Sequence, residues 1–159
     1  AAIITTKMSK LPLLAGNKIM MIGVLQDTVH LSDIVQKHGF VYCVKSGLPL
    51  SMHKNLAKRS NVALIDEDSR YPERYKKEVK YQVDTIIADI DDTNGIDSFG
   101  ANVRQFSKPH TRFFVVIRSS DEQKMKDELT NRHYCNIEDV LSLTPFDEDH
   151  KLFMGTITK

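Results

Sequence analysis

A three-layer α/β sandwich, with a mainly parallel sheet of five or six strands, is the fold this sequence predicts. Three observations carry that reading. Short apolar runs alternate with helix-patterned segments from Lys18 to the end of the chain. Arg112-Phe113-Phe114-Val115-Val116-Ile117 is almost wholly aromatic and β-branched, and it is bounded by Pro109 and by Ser119-Ser120. The stretch from Val83 to Asp92 runs apolar residues into a cluster of acids, Asp89, Asp91 and Asp92, just before the Asn94-Gly95 turn signal. A buried strand delivers carboxylates in this way to the C-terminal edge of a parallel sheet, which is the edge where ligands bind.

Taken in order, residues 1–16 read as an N-terminal arm and residues 17–159 as the α/β domain. Leu11 to Leu14 would pin the arm, and Ala15-Gly16-Asn17 is a turn signal. Lys18 to Val24 is apolar after its first residue, as a strand buried on both faces should be. Asp27 or Thr28 can cap a helix that places Leu31, Ile34 and Val35 inward, and His38-Gly39 stops it. Phe40 to Val44 is the second strand, and Pro49 to Lys58 holds the second helix. Asn61 to Asp66 is a third strand, whose acidic end continues through Glu67 and Asp68. Pro72 suits the first turn of a helix running to Tyr81. Strand Asp84 to Asp89 follows, then a helix from Ser98 to Phe106, then the strand at Arg112. Ser120-Asp121-Glu122 opens a helix through Leu129, with acids in its first turn. Ile137 to Leu143 is the last core strand, and a short final helix carries Leu152 and Phe153.

Length is sufficient for one domain with a real core: 159 residues. A net charge of +1 argues against a strong field toward nucleic acid or an acidic membrane. Lys58-Arg59 and Lys76-Lys77 read as solvated helix faces, and no basic-aromatic interleaving of the RNA-binding kind stands out. Cys43 and Cys135 form no CxxC and read as buried thiols in a reducing compartment. No apolar run approaches membrane-spanning length and no signal peptide is evident, so a cytoplasmic location is expected. The histidines supply no ligand set, and Walker-type and Gly-x-Gly-x-x-Gly loops are absent from the sequence.

With that order in place, the chain resembles the receiver domain of bacterial two-component response regulators. Asp84 to Asp89 matches the strand ending in the phospho-accepting aspartate, Phe114 to Ser119 the strand ending in the switch Ser/Thr, and Thr144-Pro145-Phe146-Asp147 the family's Thr-Lys-Pro-Phe-Asp segment. A flavodoxin-like sheet is implied, with a receiver-like pocket of Asp89, Asp66, Ser119 and Thr144. Asp66, ending Val62 to Asp66, is an alternative position for the phospho-acceptor. Departures accompany the likeness. Gly23 and Val24 stand where the family has a magnesium-binding acidic pair, and Thr144 stands where it has a lysine. Phosphoryl transfer needs both groups, so the resemblance implies a pseudo-receiver without conventional aspartyl phosphorylation or a required cofactor. Such a domain works through protein partners. Self-association into a homodimer and an attached output domain in a longer chain are expected, and this segment has no expected part in nucleic-acid binding.

Two other readings use the same edge. Asp89-Ile90-Asp91-Asp92-Thr93 satisfies the Asp-x-Asp-x-Thr motif of haloacid-dehalogenase-like phosphatases. That resemblance makes Asp89 the nucleophile and Asp91 the acid/base, with Mg²⁺ held by Asp89, Asp91 and a distal acid such as Asp139. The motif falls past mid-chain, whereas that family carries it on its first strand. A small-ligand sensor, binding at the sheet's C-terminal edge between Gly23, Asp66 and Asp89, is the third reading.

Overall fold

A computed structural model describes residues 13–23, 27–90, 93–118, 121–143 and 149–159. It contains a seven-stranded sheet in the order β3-β2-β1-β4-β5-β7-β6. The strands are β1 (Lys18–Ile22), β2 (Phe40–Val44), β3 (Val62–Ile65), β4 (Val83–Ile90), β5 (Ser107–Arg118), β6 (Cys135–Ser142) and β7 (His150–Ile157). The helices are α1 (Thr28–Val35), α2 (Leu50–Leu56), α3 (Thr93–Phe106) and α4 (Glu122–His133), with one 3₁₀ turn at Pro72–Arg74. Neighbours from β3 through β5 pair in parallel, and β7 runs antiparallel to both β5 and β6.

Alternation along the buried strands builds the two outer layers. Met20, Tyr42, Ile86, Phe113 and Val115 meet Phe99 and Val103 of α3 and Met125 and Leu129 of α4 on one face. Ile19, Met21, Val41, Cys43, Ile87, Phe114 and Val116 meet Leu31 and Val35 of α1 on the other. The three-layer α/β expectation therefore holds. Both cysteines are free and buried, and burial pushes their thiols up to about 11 for Cys43 and about 12 for Cys135. No helix among the described residues is long and apolar enough to cross a membrane.

Four local expectations change. The sheet has seven strands, because His150–Ile157 is a strand and the expected helix at Leu152-Phe153 does not form. Adjacent apolar residues fit either period, and here the ladder to β5 and β6 decides. Ile137–Leu143 was expected as a core strand; the strand there is β6, the sheet's edge, with an alternating and largely open pattern. The helix expected from Pro72 to Tyr81 shrinks to the 3₁₀ turn. Between Glu73 and Lys80 only Tyr75 is fully buried, which leaves no apolar stripe to pay for a longer helix. Finally, α3 runs straight into β5: Ser107 Oγ donates to the Val103 carbonyl at 2.6 Å, and Thr111 Oγ1 donates to the Val83 carbonyl at 2.8 Å.

His133 closes α4 against α3, only 2% exposed, and a Cβ at Gly100 would overlap its ring. Burial first, then the charges of Arg104 and Arg132, hold its pKa below the usual 6.5, against an opposing pull from Asp97 and Glu128. The unfolded chain therefore takes up a proton that the folded chain resists. Stability is complete above the unfolded value and is lost as pH falls toward the folded one. The urea midpoint should fall between pH 7.5 and 5.5, and the fall should disappear in His133→Gln. Equal midpoints at the two pH values would show that His133 is not kept neutral.

Candidate active site at the sheet edge

The chain winds outward from β1 to β2 and β3, then returns to place β4 on the other side of β1. The connections after β1 and β4 depart to opposite faces, toward α1 and α3, and leave a crevice between the two strand ends. Gly23 occupies the end of β1 with φ +76°, and a Cβ there would stand 3.1 Å from the Asp89 carbonyl oxygen. A side chain would be both strained and directed into the crevice wall. The resulting pocket, about 270 Å³, is lined by Gly23, Asp68, Ser69, Asp89, Gly95 and Ser98, with Arg70 at its rim.

The acids at this edge have different tasks. Asp66 Oδ1 accepts from the Gly47 amide at 2.8 Å, tying the turn after β2 to the end of β3. Asp68 receives Arg70 as a fork, with Nε at 3.0 Å and Nη2 at 2.5 Å, and it also accepts from the Arg70 amide at 2.9 Å. Those bonds hold its carboxyl down at about 2. Behind it, Ser69 is fixed to α3: its Oγ lies 2.7 Å from Ser98 Oγ, and its carbonyl accepts from Asn102 Nδ2 at 2.8 Å. Tyr75 completes the staple by donating to Asn102 Oδ1 at 2.6 Å.

Two polar residues that no motif in the sequence marks, Arg118 and His150, join Asp89 at this edge. The register pairs Asp89 with Val116 on β5 and pairs Arg118 with His150 on β7. Side chains alternate along a strand. Asp89 shares the parity of Ile87, Arg118 that of Phe114 and Val116, and His150 that of Leu152. All three therefore belong to one face, at one edge, on three adjacent strands. Arg118 Nη2 also lies 3.6 Å from Asp149 Oδ2. Residues 150–157 taken alone fit a helix as well as a strand, so no local signal sets His150 here.

Of the residues expected to form a receiver-like pocket, Asp89 is in the crevice. Asp66 lies three strands away on β3, about 14 Å by strand spacing. Ser119, Thr144, Asp91 and Val24 lie outside the described residues. Asp139 is exposed on edge strand β6, three strands from β4 on the opposite side, so the proposed Mg²⁺ set of Asp89, Asp91 and Asp139 is not assembled around Asp89. Among the described residues, no group of three His, Cys, Asp or Glu could hold a metal ion.

The absence of a Cβ at Gly23 leaves the crevice open, and two carboxylates stand on its wall, Asp68 already engaged by Arg70 and Asp89 at the end of β4. One usual contact differs. In dinucleotide-binding sheets a carboxylate about 20 residues past the glycine turn holds the ribose; the residue just beyond β2 here is Lys45, which is exposed.

Comparison with known proteins matches the fibrillarin family model over residues 1–159. The fibrillarin-like rRNA/tRNA 2′-O-methyltransferase of Thermoplasma acidophilum is 32% identical, over 97% of this chain and 70% of its own length. The enzyme of the same description from Sulfolobus acidocaldarius is 31% identical, over 90% of this chain and 67% of its own length. Among solved structures, Aeropyrum pernix fibrillarin with natively bound S-adenosyl-L-methionine superposes with a TM-score of 0.80 at 26% identity, covering 97% of this chain and 73% of that one. A fibrillarin/Nop5p complex shares the fold, with a TM-score of 0.81 at 24% identity over 98% of this chain and 79% of that one.

These matches overturn the receiver resemblance and the phosphatase alternative. The motifs behind the first, a strand ending in aspartate and a Pro-Phe dipeptide, are short, and Pro145-Phe146 lies outside the described residues. Topology agrees with the correction: a flavodoxin-like sheet has the order 2-1-3-4-5, whereas this one inserts an antiparallel β7 between β5 and β6. The expected signalling module that makes only protein contacts gives way as well, since the relatives are named for methylation of RNA. The small-ligand sensor reading gives way with them.

Proposed function

Because the chain belongs to the fibrillarin family, we propose that it is an S-adenosylmethionine-dependent methyltransferase domain acting on ribose 2′-hydroxyls of rRNA or tRNA. The observation that carries this reading is the glycine-cradled crevice between β1 and β4, with Asp89 on its wall. Gly23, Asp68, Ser69 and Asp89 would hold the cofactor, whose sulfonium supplies an electrophilic methyl group when bound. The carboxylate of Asp89 favours a cationic ligand by simple Coulomb attraction, stronger in a crevice than in open water, whereas the charge of Asp68 is already met by Arg70.

The acceptor hydroxyl must lose its proton as its oxygen takes the methyl carbon, and the carbon–sulfur bond would break with its electron pair left on sulfur, giving neutral S-adenosylhomocysteine. Asp89 is placed to accept that hydrogen bond and then the proton. The Arg118 guanidinium, on the same face and edge, steadies the negative charge that builds on the ribose oxygen. His150, its ladder partner, is placed to hydrogen-bond the same ribose and orient it. Arg118 is always charged, so it contributes electrostatics without itself taking the proton.

Lys45 makes a prediction of its own. Lys45→Asp would restore a carboxylate at the ribose position and should tighten binding of S-adenosylhomocysteine about tenfold, the worth of one hydrogen bond to a charged group. Titration calorimetry checks this, and unchanged affinity would remove the end of β2 from the site.

The proposed activity is tested by incubating the chain with methyl-labelled S-adenosylmethionine and RNA. One solved relative is complexed with Nop5p, so the assay is run with and without that class of partner. The digested RNA should contain labelled 2′-O-methyl nucleosides. Their absence in both arms, together with no cofactor binding, would refute the reading.

A further inference from the structure

The segment joining β3 to β4 crosses the sheet without a helix and carries an uneven charge. Between Arg70 and Tyr81 stand five cations, Arg70, Arg74, Lys76, Lys77 and Lys80, against Glu73 and Glu78, in a chain whose net charge is only +1. All five cations are exposed. Tyr71 sits among them with 44% of its surface open. The Arg74 guanidinium carbon lies 4.5 Å from the Tyr71 ring centroid and that of Arg70 lies 5.6 Å from it. The set is held from below: Asp68 grips Arg70, Pro72 is buried, and Tyr75 is locked onto Asn102 of α3.

We propose that Tyr71 and Arg74, with Lys76 and Lys77 beside them, form a landing platform for single-stranded RNA at the mouth of the crevice. This rests on the methyltransferase reading for its substrate class. Three features favour RNA. An exposed aromatic ring flanked by guanidinium planes is a surface on which an unpaired base stacks. Exposed cations on the same short segment suit the phosphates on either side of that base. The platform is continuous with the site, because Asp68, Ser69 and Arg70 line the crevice that also holds Asp89. Asp89 stands on the crevice wall, and Arg74, Lys76 and Lys77 stand outside it on the exposed segment. Lys76 and Lys77, expected to lie on a solvated helix face, lie instead on this non-helical ribbon.

The test is fluorescence anisotropy with a labelled single-stranded RNA decamer, run beside calorimetry with S-adenosylhomocysteine. Tyr71→Ala should weaken RNA binding about tenfold, within the range for one lost base stack, while Tyr71→Phe keeps the ring and binds as the parent does. Arg74→Ala should weaken binding and lower the salt dependence by about 0.7 in log–log slope, the value for one cation on a single strand. Cofactor binding should be unchanged in all three variants. The proposal is overturned if Tyr71→Ala binds RNA as tightly as the parent, if the parent does not bind the decamer, or if a poly-glutamate peptide binds equally well. If the RNA results hold but the parent binds no cofactor, the platform stands and the methyltransferase reading falls.

Discussion

Asp89→Asn should lower the rate of RNA methylation at least about a hundredfold while leaving the thermal midpoint nearly unchanged. The amide has the size and shape of the carboxylate but cannot take up a proton, and general-base contributions run from about 10² to 10⁴ in rate. The residue is exposed at the end of β4, so the fold does not depend on its charge. The loss should fall mainly on turnover, with a smaller loss in cofactor affinity from the missing negative charge. Arg118→Ala should also cost about a hundredfold or more, as expected when one donor to a developing oxyanion is removed. Single-turnover rates at saturating cofactor separate the two effects. An Asp89→Asn enzyme retaining a third of parental turnover would exclude the carboxylate from proton transfer.

Gly155→Ala should have the largest effect on stability. Gly155 lies on β7 between Phe113 of β5 and Ile137 of β6, next to the irregularity between Ile137 and Asp139. A Cβ at this position would overlap the Asn136 carbonyl oxygen, which is backbone and cannot rotate away. Either the β6–β7 ladder opens or the bulge shifts. Overpacking of this kind costs about 1–3 kcal/mol, equivalent to a fall of roughly 2–12 °C in midpoint for a domain of this size. Because β7 also carries His150 beside Arg118, activity should fall further than the loss of folded protein explains. Differential scanning calorimetry checks the first part, and an unchanged midpoint would mean that the edge pair is loosely seated.

The parallel half of the fold was legible from residues alone. β1, β2, β4 and β5 are nearly continuous apolar runs, and burial on both faces is what a central parallel strand requires. The C-terminal edge, and Asp89 on it, followed from that pattern. β7 did not, because Leu152-Phe153 fits a helix as well as a strand and only the long-range ladder to Val116 and Val115 decides between them. With β7 misread, His150 could not be set beside Arg118, and the second half of the site had no visible geometry. The 70–81 segment failed for a related reason: Pro72 and charged residues at helical spacing suggested a helix, and one buried residue, Tyr75, fixed a ribbon instead. The site's chemistry was hidden more deeply. A lone Gly23, with Lys45 where an acid is usual, does not carry a nucleotide-binding fingerprint, and similarity spread along the whole chain identified the family where no short motif could.

Titration calorimetry of S-adenosylhomocysteine into the parent chain and into Gly23→Val tests the central claim most directly. The parent should bind one equivalent. Gly23→Val, which places a branched side chain on the crevice wall, should lose at least about tenfold in affinity, since added carbons that overlap the ligand cost on the order of 1 kcal/mol or more. A parent that binds no ligand, or a valine variant that binds as well as the parent, would contradict a cofactor site at the crevice between β1 and β4.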